Sequence, residues 1–322
     1  MKTNIKLGIG AMFTAMLLVS IIFAPAVAAT QATPLSEHTA TDSKSVYSDS
    51  NLPKDMQDKV IEAIKASSLS DVEKKELIKN LKDIWSNKSD LSESEQKEVV
   101  AKAASILYDY LGIDQSEVGI QWNWEPHSDL AKTAGVKMGA PSAYWQTLYN
   151  EANTPDSWTR YLGDHYWYVD SIPQWGDGPA KTNQYANEAR DYIKNQGNPA
   201  EGYKRLAWSM HYMSDLANPW HTVVLYGQAY HSTYEGYVSN NWNSGQNYNQ
   251  TIQNNWYYYY ITNPETSAKS LAEYSNPYIE YLVGEIVNDP NWQSNPTVIS
   301  DTRDVLTQAI RYDMGLVNYV TR

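Results

Sequence analysis

Five of the six histidines, His127, His165, His211, His221 and His231, follow one another along the 322-residue chain, and the last three fall in the runs HYMSDLANPWH and HSTYE. His211 and Asp215 stand four residues apart, as do His231 and Glu235, so on helices each pair projects from one face toward one point. His221 lies between the pairs, two residues past Pro219, where a proline stops a helix and turns the chain back. Imidazole nitrogen together with carboxylate oxygen suits zinc, and catalytic zinc sites keep one position open. The pattern predicts a polynuclear zinc centre, since it offers more ligands than one structural ion needs. A solitary histidine is ordinarily a satisfied core or surface group, and His38, in a polar stretch, receives no role.

Such a cluster must be carried by rigid elements. Helical spacing recurs at 127–138, 142–152, 182–195, 201–217, 265–287 and 300–320, separated by segments rich in Asn, Pro, Gly and Tyr. Clean strand alternation is scarce, so the expected fold is all-α, a multi-helix domain of about 200 residues. The Asn- and Tyr-rich stretch 240–260 reads as a long loop pinned by aromatics, a sugar-binding surface being the other reading. Upstream, KDMQDKVIEAIKASS, DVEKKELIKNLKDIW and ESEQKEVVAKAASILYDYL are amphipathic and begin near Ser or Asp caps, which predicts a small three-helix module with a solvated Lys/Glu face. Residues 30–51 are polar, without apolar period, and read as a flexible linker.

Composition divides the chain near residue 120: every arginine and eleven of the twelve tryptophans lie from Trp122 onward. The first 29 residues carry Lys2 and Lys6, an apolar stretch from Leu7 to Phe23, and Ala26-Val27-Ala28, the small-x-small form of a signal peptidase site. Export follows, with an uncleaved membrane anchor as the alternative. The expected organisation is a signal peptide (1–29), a linker with the helical module (30–121) and a catalytic domain (122–322). There is no cysteine, so disulfides, thiolate zinc sites and thiol nucleophiles are excluded. A net charge of −12 argues against a broad electrostatic grip on nucleic acid or an anionic membrane, so an anionic substrate would have to meet a local positive centre.

The run HYMSDLANPWH resembles the histidine-rich motif of the zinc-dependent phospholipase C family, in which His-Tyr precedes a small residue, Asp and then Pro-x-His. His231 and Glu235 match that family's next ligand pair. Asp164-His165-Tyr166-Trp167 is similar to its Asp-His-aromatic-aromatic segment, which makes Asp156 the preceding aspartate ligand, with Asp164 and Glu151 as substitutes. Trp122-Asn-Trp124-Glu-Pro-His127 resembles the segment in which family members bind zinc through an N-terminal tryptophan and a nearby histidine. An amine ligand at Trp122 implies a cut between Gln121 and Trp122, which would make residues 30–121 a propeptide; Trp124 is the alternative anchor. Ser214, Ala217 and Val224 depart from the family's preferred residues, and none of the three is expected to touch a ligand.

The resemblance implies about three zinc ions. One would be held by Asp156, His165, His211 and Asp215, a second by His221, His231 and Glu235, and a third by Trp122, His127 and Asp215. Asp156 is also the candidate general base, and Tyr212 a candidate for orienting a ligand. The implied activity is phospholipase C hydrolysis of phospholipid to diacylglycerol and a phosphorylated head group, with transient contact to a membrane surface and no stable nucleic-acid partner. Two readings stand beside it: a single-strand-specific nuclease of the same superfamily, whose spacing Trp122 to His127 matches, and a non-catalytic surface binding protein stapled by zinc.

Overall fold

A computed structural model describes residues 32–35, 54–86, 88–111, 124–157, 164–169, 174, 176–223 and 228–322. The leader, Trp122 and most of the expected linker lie outside these residues. The fold is all-α: twelve α-helices make up nearly all the regular structure among the described residues, with a single two-stranded sheet. Ala32–Arg322 forms one compact unit.

The three upstream segments are helices α1 (Lys54–Ala66), α2 (Asp71–Trp85) and α3 (Glu93–Leu111). Ser70 starts α2 with a capping box: its hydroxyl accepts from the Glu73 amide while the Glu73 carboxylate reaches back to the Ser70 amide. Their apolar stripes meet in a core that includes Val60, Ile64, Leu81, Ile84 and Leu107. Two residues from much later in the chain, Tyr166 and Tyr168, complete that core.

The main body comprises α4 (Trp124–Lys137), α5 (Trp145–Glu151), α6 (Gly178–Lys194), α7 (Pro199–Asp215), α8 (Gln228–Asn240), α9 (Tyr248–Asn254), α10 (Pro264–Ser275), α11 (Tyr278–Asn288) and α12 (Pro296–Thr321). Proline at the first helical position follows an Asn cap in α7, α10 and α12, where its missing N–H costs nothing. The closest pairing is α6 with α7, and α12 runs against α4, α6 and α7. Helix α7 is buried almost throughout its second half, from Leu206 to Asp215.

Three expectations need correction. The helix read across 265–287 is two helices, because Pro277 breaks it: proline supplies no amide to the ladder, although Asn276 and Pro277 themselves keep helical backbone angles. Asn276 uses the break, donating to the Thr222 hydroxyl at 3.1 Å. The 240–260 stretch is not a long loop, since it contains α9 and strand β2 (Tyr257–Tyr259). The linker is not wholly unstructured either, because Thr33–Leu35 forms strand β1, parallel to β2 with Thr33 opposite Tyr257. Pro34 fits there because a two-stranded sheet leaves each strand an edge that needs no donor.

Candidate metal centre

Both four-residue pairs are helical, one at the C-terminus of α7 and the other in α8. Helix α7 ends at Asp215, and Pro219–Thr222 forms a 3-10 turn that returns His221 to the cluster. Asn218 opens that turn, its side-chain oxygen accepting from the Trp220 amide. The Ser275 hydroxyl donates to the Leu216 carbonyl at 2.6 Å, tying the end of α10 to the end of α7. His165 arrives on an extended segment held beside the turn, with the Trp167 and Val169 amides donating to the carbonyls of His221 and Thr222. Asp156 comes from a short 3-10 turn after α5, and His127 from the first turn of α4.

These residues converge in three groups whose donor atoms lie within 4.8 Å of one another and could hold metal ions: His127, His211 and Asp215; Asp156, His165 and His211; and His221, His231 and Glu235. In the first two groups, His211 Nε2 lies 2.9 Å from Asp156 Oδ1 and 3.2 Å from Asp215 Oδ2. His165 Nδ1 is 2.8 Å from the same Asp215 oxygen, and His127 Nε2 is 3.2 Å from the other, Oδ1. Asp215 thus turns one oxygen to each group, and His211 belongs to both. In the third group, His231 Nε2 is 2.7 Å from Glu235 Oε1 and 3.0 Å from His221 Nε2.

Hydrogen bonds behind the imidazoles fix which nitrogen faces inward. The Ser214 hydroxyl donates its one proton to the His211 carbonyl at 3.1 Å, so it must accept from His127 Nδ1 at 2.8 Å. That leaves a lone pair on His127 Nε2, aimed at Asp215. His221 Nδ1 donates to the His165 carbonyl at 3.1 Å, which leaves His221 Nε2 a lone pair facing His231 and Glu235. Asn218 donates to Glu235 Oε1 at 2.8 Å, and the Tyr166 ring stacks on His221 at 4.6 Å between centroids. Imidazoles oriented in this way are characteristic of metal ligands.

Electrostatics point the same way. Burial pushes the pKa values of His127 and His221 down and that of His231 to about 4, so their neutral, ligating forms prevail near neutrality. Burial also raises Glu235 to about 8. His211 runs opposite: burial works against its proton, but the Asp156 and Asp215 carboxylates outweigh that and hold it near 10. Asp215, despite burial, lies well below the ordinary carboxylate range because of the surrounding histidines. Asp215 is sealed from solvent, a costly place for its charge unless cations compensate it, while the equally sealed Glu235 keeps its proton near neutrality. Asp156 alone in the cluster is accessible, its side chain 24% exposed against at most 2% for the others with which it shares these contacts.

Eight of the nine residues expected from sequence are therefore brought together, and the ninth, Trp122, lies outside the described residues. Of the substitutes for Asp156, Glu151 is engaged elsewhere, accepting from Trp208 Nε1 at 3.2 Å. Tyr212 meets His165 ring to ring at 4.8 Å. The reading that Ser214 touches no ligand is wrong, because Ser214 is the residue that orients His127. Asn218, which donates to Glu235, is not among the residues expected from sequence, although an asparagine just before Pro-x-His is a signal for such a role. No family model and no curated protein matches this chain.

Proposed function

We propose that this protein is an exported zinc-dependent phosphodiester hydrolase of the phospholipase C kind, cleaving phospholipid to diacylglycerol and a phosphorylated head group. One observation carries the reading: two adjacent ligand groups share His211 and are bridged by Asp215, with a third group of two histidines and a glutamate beside them. Mixed nitrogen and oxygen donors without thiolate favour zinc, and the resemblance of HYMSDLANPWH and His231-xxx-Glu235 to the phospholipase C motif supports about three ions. Zinc bound there would supply Lewis acidity toward a phosphoryl oxygen and toward water.

The chain's own residues have distinct parts in this scheme. Asp215 orients two groups at once, and the imidazoles of His127 and His221, locked from behind, present their lone pairs without reorganisation. Asp156, on the open side of the cluster, is placed to take a proton from a nucleophile, the role of a general base. The surrounding protein carries a net charge of −12, so a phosphate is drawn to the centre and to little else, which suits brief contact with a membrane surface and no lasting hold on nucleic acid.

The test is elemental analysis of secreted protein, paired with hydrolysis of phosphatidylcholine and of single-stranded DNA before and after chelation. About three zinc ions with chelator-sensitive lipid cleavage is the expected result. Cleavage of DNA alone would turn the reading to a nuclease, and no cleavage of either substrate would turn it to a metal-stapled binding protein. Processing before Trp122 belongs to the same proposal, and secreted protein whose sequence begins at Ala29 or Thr30 would refute it.

A further inference from the structure

One buried carboxylate close to the centre has no part in the ligand groups. Asp313, on α12, is completely buried, and neither of its oxygens has a hydrogen-bond partner. Helix α12 packs against α4 and α7, the helices that carry His127, His211 and Asp215. The Asp313 carboxyl is raised well above its ordinary range, first by burial, and it also feels the charges of His211 and Asp215.

His211 presents the complementary need. Its Nε2 faces Asp156, Asp215 and, at 3.1 Å, His165, so a ligating ring must carry its proton on Nδ1. His127 and His221 each have that second nitrogen tied, to the Ser214 hydroxyl and the His165 carbonyl. His211 Nδ1 is buried and has no partner. A sealed donor and a sealed acceptor, each unmatched and not in direct contact, are costly singly and offset one another when one water joins them.

We infer that Asp313 is a positioning residue for His211, accepting through one water from its Nδ1–H when the ring ligates metal and so holding the ring from behind. The inference rests on the metal reading above. Its prediction is that removing the Asp313 oxygens loosens the His211 ring and weakens metal binding.

The experiment uses the full chain with Asp313→Leu and Asp313→Asn, measuring zinc affinity by chelator competition and the melting temperature of the metal-free forms. Asp313→Leu is expected to lose roughly ten- to a hundredfold in zinc affinity, with the melting temperature of the metal-free form showing that the variant is folded. Asp313→Asn, whose amide oxygen still accepts, should recover most of the affinity. Long-range nitrogen–proton spectra of the zinc-loaded protein should place a protected proton on His211 Nδ1 that is lost in Asp313→Leu. Unchanged affinity in Asp313→Leu, or no rescue by Asp313→Asn, would overturn the assignment; if leucine prevents folding, the asparagine variant with the spectra decides it alone. Wild-type protein that binds no zinc would overturn the metal reading itself, a distinct result.

Discussion

At the scale of single residues, the cluster holds protons that the unfolded chain would release. Glu235 keeps its proton up to about 8 and His211 up to about 10, against ordinary values of 4.5 and 6.5. Both are raised on folding, so the stability they confer is full below the unfolded values and is lost as pH climbs toward the folded ones. The depressed histidines, His127, His221 and His231, act in the opposite sense, but only below pH 6.5. Between pH 6.5 and 8 the metal-free protein should therefore lose stability, at up to roughly 1.4 kcal/mol per pH unit for each retained proton. Glu235→Gln should reduce that slope in urea titrations, and an unreduced slope would mean that Glu235 is already ionised at pH 6.5. A metal ion held by these groups would compete with the same protons, so its affinity should rise across the same window. Ser214→Ala makes a second case. It strips His127 of the acceptor on Nδ1, and metal titration should show roughly a ten- to hundredfold loss in affinity. The ligands themselves were legible from residue type and spacing. Ser214 was not, because its role depends on a hydroxyl proton committed to a carbonyl one turn back, which spacing does not display.

At the scale of elements, the segment around His165 is positioned by backbone contacts. Its amides pair with the carbonyls of the His221 turn, while Gly176 and Gly178 close over it from the other side, the Gly178 amide donating to the Tyr166 carbonyl at 3.2 Å. Gly176 has φ +135°, and a methyl group there would run into that carbonyl and the Tyr166–Trp167 peptide. Gly176→Ala should cost about 1–3 kcal/mol and move His165, because neither the conformation nor the space suits an L side chain. Less metal bound per chain, with the fold retained by circular dichroism, is the expected outcome; full metal content would mean the segment can shift without its histidine. Helices such as α7 and α12 were readable from their periods, but their Asn-Pro starts at Pro199 and Pro296 lie ahead of the expected 201 and 300. The division of α10 from α11 was written in Asn276-Pro277 but masked by apolar spacing that continues in register across it. Strand β1 could not be read locally, since three residues, one of them proline, pair with a partner more than two hundred positions away.

At the scale of the whole molecule, the N-terminal helices and the candidate metal centre share packing. Tyr166 completes the apolar core of α1, α2 and α3 and, through its ring, stacks on His221 and meets His231 edge-on at 6.3 Å. Helix α3 also touches α8, which carries His231 and Glu235. Residue composition alone had separated the two parts at about residue 120, because Lys/Glu-rich amphipathic helices and an aromatic-rich body look independent until the tyrosines between them are placed. Two buried tyrosines remove roughly 150–250 Å² each from water, enough to hold the parts together after the connecting chain is cut. A protease site engineered into residues 112–123 should therefore yield two fragments that still co-elute in size exclusion, and separate only in denaturant. Replacing both Tyr166 and Tyr168 with Ser should release the N-terminal fragment on cutting. If the wild-type fragments part at once, the shared core is too weak to retain the module, and processing before Trp122 would by itself strip it from the metal centre. If they stay together, processing would only free a terminus, and the helices would remain as a wall beside His221.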